Sequence, residues 1–450
     1  MKLQANLLRI LLYFFALVFA LVVKDGISIF KFTTITIIFS FILYFFSPPK
    51  FYKLSIFFEL GFLFFLSTEG IANYQNIIYE TSYEYFCIGS KYINLSFIII
   101  MVVCLYRTIH LHEQNYITKK VFKLKNVKLL YFTLIFFIIV FLGGMVGKAF
   151  KVGSVGRLGA ASDAVLFNDI PVRSLPNTFF NMFGSLLSVV LPPLLLFLKN
   201  NYNNKIFKIL AYTIIPISLV LQIFNGGRTL LLHTLIAILI INQIKVGKIN
   251  WSKTLIIGII MVFLSSFMLT YRNYGFTNIE ISSVSNRVGK DIIGAQDVVL
   301  WLCRIVEYYD YHPNYEHGNN LLTIFVFWVP RAIWLTKPTQ IDYWFARTYI
   351  GDDKFTNTHS IATGFSGSFY SDFGYWGGLI SCIFIGLFIA KLEYFVYKSV
   401  LNKTDPFIIF SSIIFGATFF FIRQFSSILP TIISCYLIIL FLKKIFFEIK

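Results

Sequence analysis

Apolar residues gather into runs along nearly the whole chain, separated by short polar stretches. Twelve segments stand out, at about 5–23, 32–47, 54–67, 93–106, 129–147, 177–198, 209–223, 229–243, 254–270, 377–395, 406–422 and 428–442. Most approach the roughly 20 residues that a helix needs to cross a bilayer. The third and fourth are short, and a short span is accommodated only by thinning the bilayer or shifting its ends. A membrane β-barrel needs alternating strands of about ten residues, a pattern these runs do not follow. The first run follows Lys2 and carries Arg9, so a signal peptide has to be weighed. No small-x-small cleavage site follows Val23 and eleven more runs do, so a retained helix is expected. The pattern predicts an all-α polytopic membrane protein of about twelve spans.

Composition agrees with that pattern. The chain has 450 residues, 57% apolar, 19% aromatic and only 13% charged. A soluble domain carries about 25% charged residues, so a water-soluble enzyme and a disordered chain are both excluded. The five cysteines (Cys87, Cys104, Cys303, Cys382, Cys435) form no C-x-x-C pair, which argues against a disulfide framework or a zinc site.

Charge sets the topology. Alternating the connections places 20 basic residues against three acids on one side, and 17 against 16 on the other. Nearly all of the +18 net charge therefore lies on one face, which the positive-inside rule makes cytoplasmic. Both termini and the 107–128 loop fall on it. A net charge this high in a soluble protein would point to nucleic acid. Here topology explains it, and no nucleic-acid partner is expected. Arginine departs from lysine: of ten arginines outside the spans, nine face outward. Topogenesis needs only positive charge, whereas a planar guanidinium forks onto phosphate or carboxylate. Interfacial anchoring explains any single arginine about as well; for the set, anion recognition is favoured.

The chain divides into 1–270 with nine spans, a large outer loop at 271–376, and 377–450 with three spans. A second outer loop, 148–176, is glycine-rich and carries Arg157. Glycines let backbone amides approach a phosphate, but G-x-x-x-x-G-K-[ST] is absent, and a flexible surface loop is equally compatible. The loop at 271–376 is too long to be a structureless connector. Within it Asp297–Asp310 predicts one short helix. Leu321–Val329 is apolar but too short to span, and ends at Pro330–Arg331. That fits either an interfacial or re-entrant helix or a helix packed in an outer cap. The loop also holds His312, His317 and His359 beside acids that include Asp310 and Glu316, all candidates for acid–base work. No H-E-x-x-H or Cys/His cluster exists, so neither metal nor cofactor is expected. Asn225-Gly226-Gly227 makes a tight turn that sets Arg228 at headgroup level, near Arg272 and Arg423 at the outer ends of other spans.

Four motifs carry a resemblance: N-G-G-R-T-L-L-L (Asn225–Leu232), T-Y-R-N-Y-G (Thr270–Gly275), W-V-P-R-A-I-W-L-T-K-P (Trp328–Pro338), and N-T-H-S (Asn357–Ser360) with F-Y-S-D-F-G-Y-W-G-G (Phe369–Gly378). In order and spacing over Asn225–Gly378 the chain resembles the Wzy-type O-antigen and oligosaccharide repeat-unit polymerases of bacterial envelopes. The amino-terminal half matches in hydropathy alone. The resemblance implies a GT-C-like glycosyltransferase of the bacterial inner membrane, without metal or cofactor. It would move a growing glycan from undecaprenyl diphosphate onto a lipid-linked repeat unit at the periplasmic face. Its substrates would be undecaprenyl-diphosphate-linked oligosaccharides in the lipid bilayer, with a chain-length co-polymerase as partner. Related ligases use a loop histidine before G-x-x-G, so His359 is the first choice of base, with Asp310 and Glu316 behind it. Arg228, Arg272 and Arg331 are expected to bind the diphosphate, with Arg423 and Arg157 as further candidates. An O-antigen ligase shares fold and chemistry and differs in acceptor. A lipid-linked oligosaccharide flippase is a rival by span count, but it calls for charges at the midplane and internal repeats. Arg9, Glu59, Lys391 and Glu393 read instead as isolated or close to span ends.

Overall fold

The computed structural model describes residues 2–46, 53–113, 121–160, 165–167, 170–172, 175–225, 228–246, 297–330, 333–350 and 361–449. Among them, ten helices are long and apolar enough to cross a membrane, and Phe407–Phe421 is a shorter apolar helix. Together they account for eleven of the twelve expected segments; 254–270 lies outside the described residues. The protein is an all-α polytopic membrane protein.

The amino-terminal helices are α1 (Lys2–Val22), α2 (Gly26–Phe46) and α3 (Leu54–Phe62). A π-turn at Leu63–Ser67 joins α3 to α4 (Thr68–Ala72), followed by α5 (Tyr74–Glu80) and α6 (Tyr83–Glu113). Next come α7 (Val127–Ala160), α8 (Leu175–Asn201), α9 (Lys205–Phe224) and α10 (Arg228–Val246). Three shorter helices follow: α11 (Val298–Tyr311), α12 (Asn319–Phe325) and α13 (Ile341–Ile350). The last three are α14 (Gly364–Leu401), α15 (Phe407–Phe421) and α16 (Phe425–Phe446). The fourth apolar segment looked short because polar Ser90 and Lys91 precede it and Arg107 follows it, yet α6 runs on through all three. α6 is the central column, packed against α1, α2, α11 and α14.

Close backbone approach fixes two of these contacts. A Cβ on Gly144 of α7 would stand 2.0 Å from the Phe180 carbonyl oxygen of α8, so only glycine fits. Gly61 of α3 meets the Phe419 carbonyl of α15 in the same way, at 2.4 Å. Small residues are the usual means of bringing membrane helices together, since apolar burial gives no advantage over lipid. The outer surfaces of α1 and α7 leave Leu11, Phe15, Phe132 and Phe136 exposed, as helices facing lipid do.

The basic loops share one end of the bundle. Lys53 Nζ donates to Asn6 Oδ1 at 2.7 Å, and Lys245 Nζ donates to Asn200 Oδ1 at 3.2 Å. Lys443 pairs with Asp405 at 2.9 Å, and Phe122 N–H donates to Thr404 Oγ1. Strand β1 (Phe122–Leu124) pairs antiparallel with β4 (Phe447–Ile449) at the carboxyl terminus. The segments expected on one face by charge counting are thus joined by hydrogen bonds at one end.

Two expectations are corrected. The glycine-rich stretch read as a loop from residue 148 continues α7 to Ala160, followed by the short hairpin β2 (Val165–Phe167) and β3 (Ile170–Val172). Glycine costs a helix about 1 kcal/mol relative to alanine, which weakens it without ending it, and no proline lies between 127 and 160. The tenth membrane helix begins at Gly364, well inside the stretch expected to belong to the large loop. It is broken at Gly374 (φ 69°, ψ −169°), so a helical turn region precedes the apolar run that hydropathy detects.

Candidate functional site

At the end opposite the basic loops, four stretches of chain converge on the turn Ile422–Ser426 between α15 and α16. From α10, Thr229 Oγ1 donates to Gln424 Oε1 at 3.0 Å. From the segment before α13, Gln340 Nε2 donates to the Ser426 carbonyl at 3.2 Å. The start of α14 lies directly on the turn: a Cβ on Gly364 (φ 64°) would stand 2.2 Å from the Ile422 carbonyl oxygen and 3.5 Å from Val298. From the π-turn, the Phe65 ring lies 5.8 Å from the Arg423 guanidinium. Arg423 thus sits half-buried where α10, α13, α14 and the π-turn meet.

Asp342 ties these stretches together. Its Oδ2 accepts from Ser426 Oγ at 2.6 Å, and its Oδ1 accepts from Thr363 Oγ1 at 2.5 Å and Thr363 N–H at 3.3 Å. Its backbone carbonyl accepts from Ile361 N–H at 3.0 Å. Burial pushes the carboxyl above its ordinary value, while Ser426, Thr363 and the charge of Arg423 pull it back. At the amino terminus of α11, the buried Glu69 carboxylate accepts from the backbone N–H groups of Val298, Val299 and Leu300 at 2.8–3.0 Å. An acid at a helix amino terminus meets both the unpaired N–H groups and the positive end of the dipole. Burial also raises the carboxyl of Asp297, with Arg423 opposing.

A second polar cluster lies at the far end of α11, about 18 Å along its axis from Val298. There the break at Gly374 frees helix carbonyls, and the Ser371 and Asp372 oxygens accept from Glu316 and His317 N–H at 2.9 and 3.1 Å. In return, the buried Asp372 carboxylate caps α12, accepting from Asn320 N–H and Leu321 N–H, each at 3.1 Å. The Tyr315 ring covers Gly374, and Tyr309 stacks on Tyr315 with centroids 5.1 Å apart. Asp310, exposed, accepts from Tyr85 Oη at 2.9 Å.

The expected site residues divide accordingly. Arg423 is at the junction. Arg228 opens α10 one residue before Thr229, and Arg157 lies on α7; for these two the description extends to the backbone. Arg272, Arg331 and His359 lie outside the described residues, although the described chain resumes at Ile361 beside Asp342. Asp310 and Glu316 belong to the second cluster and not to the junction. Arg304, another arginine expected to face outward, pairs with Glu80 and lies over the Trp301 and Tyr349 rings at 4.7 and 5.2 Å. Sequence reasoning passed over Asp342 and Glu69. Asp342 was one loop acid among several, and Glu69 falls just past the apolar run at 54–67, where the π-turn carries the helix on.

The charges inside the spans also need correction: they are not isolated. Arg9 Nη2 donates to Glu59 Oε1 at 2.7 Å, and Tyr13 Oη and Ser40 Oγ donate to the same oxygen. Glu393 Oε2 accepts from Ser55 N–H at the start of α3. The partners are 19 to 338 residues apart in sequence, so no local pattern announces them. Compared with family models, curated proteins and solved structures, the chain matches none.

Proposed function

We propose that the protein is a GT-C-like glycosyltransferase of the bacterial inner membrane, an O-antigen polymerase acting at the periplasmic face. It transfers a growing glycan from undecaprenyl diphosphate onto a lipid-linked repeat unit, with both termini cytoplasmic. The single observation that carries the proposal is the Thr229–Gln424 hydrogen bond. It joins the start of α10, which opens at Arg228, to the turn holding Arg423, so the two arginines come from helix ends that touch.

The chemistry follows from that placement. The acceptor hydroxyl gives its proton to a base as its oxygen attacks the anomeric carbon. The bond to the diphosphate oxygen breaks, and the electron pair leaves on the lipid diphosphate. Negative charge grows on that oxygen, so fixed guanidinium forks stabilise the transition state more than the ground state. His359 serves as the base. An imidazole with an ordinary pKa near 6.5 is largely neutral at the roughly neutral pH outside the membrane. Ile361, two residues on, bonds Asp342 at the junction, whereas Asp310 and Glu316 belong to the second cluster. A chain-length co-polymerase is the expected protein partner.

Deleting the gene and resolving surface polysaccharide on a gel tests the proposal. Loss of a polymerase leaves glycans of one repeat unit. Glycans missing altogether would point to a ligase or a flippase instead.

A further inference from the structure

We infer that Asp342 is the positioning residue of the outer arginine site, setting where Arg423 stands relative to the start of α14. The inference rests on the diphosphate reading of that site but concerns how the site is built.

Arg423 lies in the three-residue connection between α15 and α16. Its own N–H and that of Gln424 both turn back to the Phe420 carbonyl, at 3.0 and 2.9 Å. The connection leaves helical geometry at Gln424 (φ −131°, ψ 51°), so the helices on either side do not by themselves fix its direction. Side-chain ties reach it from Thr229, Gln340 and Asp342. Asp342 alone of these also holds a further element: one carboxylate oxygen takes Ser426 and the other takes Thr363, while its carbonyl takes Ile361. A carboxylate is planar and rigid, so its two oxygens set the separation of the Ser426 turn and the Thr363 backbone to within a hydrogen bond's tolerance.

Its lone pairs are turned toward hydroxyls and an amide, and its charge lies within electrostatic reach of Arg423. Held by Ser426 and Thr363, Asp342 orders the turn that carries Arg423. This is the arrangement by which an outer layer of hydrogen bonds orients groups that touch a ligand.

The test is a double-mutant cycle on the full-length protein in lipid nanodiscs, read by the affinity for inorganic pyrophosphate. A single misplaced contact costs roughly 10–100-fold in affinity or activity in comparable supporting shells. Asp342→Ala should weaken binding by about tenfold or more, and Arg423→Ala by at least as much. The double variant should be no weaker than Arg423→Ala, because Asp342 acts through Arg423. Ser426→Ala, which cuts one arm of the tie and spares the fold, should reproduce part of the loss. Additive losses in the cycle, or wild-type affinity in both Asp342→Ala and Ser426→Ala, would overturn the inference. Wild-type protein that ignores pyrophosphate would overturn the diphosphate reading itself. The Asp342 coupling is then read from the rate at which the Thr363 amide exchanges its hydrogen. Acceleration in Asp342→Ala that is matched in Ser426→Ala supports the tie, and unchanged rates refute it.

Discussion

The two ends of the membrane bundle treat arginine in opposite ways. Arg9 is buried among α1, α2 and α3, with its charge matched by Glu59 at 2.7 Å and the shared oxygen also held by Tyr13 and Ser40. Arg423 is half-buried at the opposite end, over the Phe65 ring, where helix ends and connections meet. The nearby Asp342 spends its oxygens on Ser426 and Thr363. A charge enclosed with its counter-ion ties helices together. A charge set at a junction of chain ends is the one proposed to meet a ligand's anion.

The largest expected effect comes from breaking the enclosed pair on one side only. Glu59→Ala strands Arg9 without its counter-ion, at a cost of about 3–5 kcal/mol. Little folded protein should be recovered in detergent, as judged by size-exclusion chromatography. Replacing both residues, as Arg9→Met with Glu59→Leu, should restore folding. Normal activity in that double variant would assign the pair to structure. Folded but inactive protein would give it a further role and blur the contrast between the two ends.

Next is Gly364→Ala. A Cβ there would stand 2.2 Å from the Ile422 carbonyl oxygen, and φ of 64° disfavours any side chain. Backbone on both sides must shift, so glycan lengthening should fall by about 10²-fold, the scale that a 1 Å misplacement produces. An unchanged polymer ladder would show that the contact of α14 with the Arg423 turn is irrelevant to activity.

Arg423→Lys and Arg228→Lys keep the charge and lose the fork. Each should cut activity by roughly 10-fold with no change in thermal stability, by analogy with loss of one bidentate charge-assisted contact. Equal losses would support one shared site, since Thr229 and Gln424 bond each other. A loss in one variant alone would separate the two arginines.

The smallest effect is a pH dependence. Burial raises the Asp342 carboxyl, so the folded state holds that proton to a higher pH than the unfolded chain does. Its contribution to stability is therefore full below the ordinary carboxylate value and declines as pH rises through the raised value. Asp342→Asn removes this component. The difference in melting temperature between wild type and variant should shift against the wild type as pH rises from acid. A difference that moves the other way would mean that the hydrogen bonds and Arg423 outweigh burial.

Hydropathy made the spans legible, because a membrane helix must bury about 20 apolar residues whatever else it does. The common end of Lys53, Lys245, Lys443 and the 122–124 strand was likewise visible as a charge bias. Helix limits were less so. Polar Ser90, Lys91 and Arg107 hid the true length of α6, and three-residue glycine spacing disguised the end of α7 as a loop. Least visible were tertiary pairs such as Arg9–Glu59 and Asp342–Ser426, which lie 50 and 84 positions apart. The arginines expected to face outward marked a region, but the Asp342 carboxylate beside Arg423 is set by packing between distant segments.

The central claim is tested most directly by reconstituting the protein with a synthetic undecaprenyl-diphosphate-linked repeat unit and resolving the products by size. Wild-type protein should produce a ladder of lengthened glycans with release of undecaprenyl diphosphate, and both His359→Ala and Arg423→Ala should leave mainly single units. Single units from folded wild-type protein, or full ladders from both variants, would contradict the account.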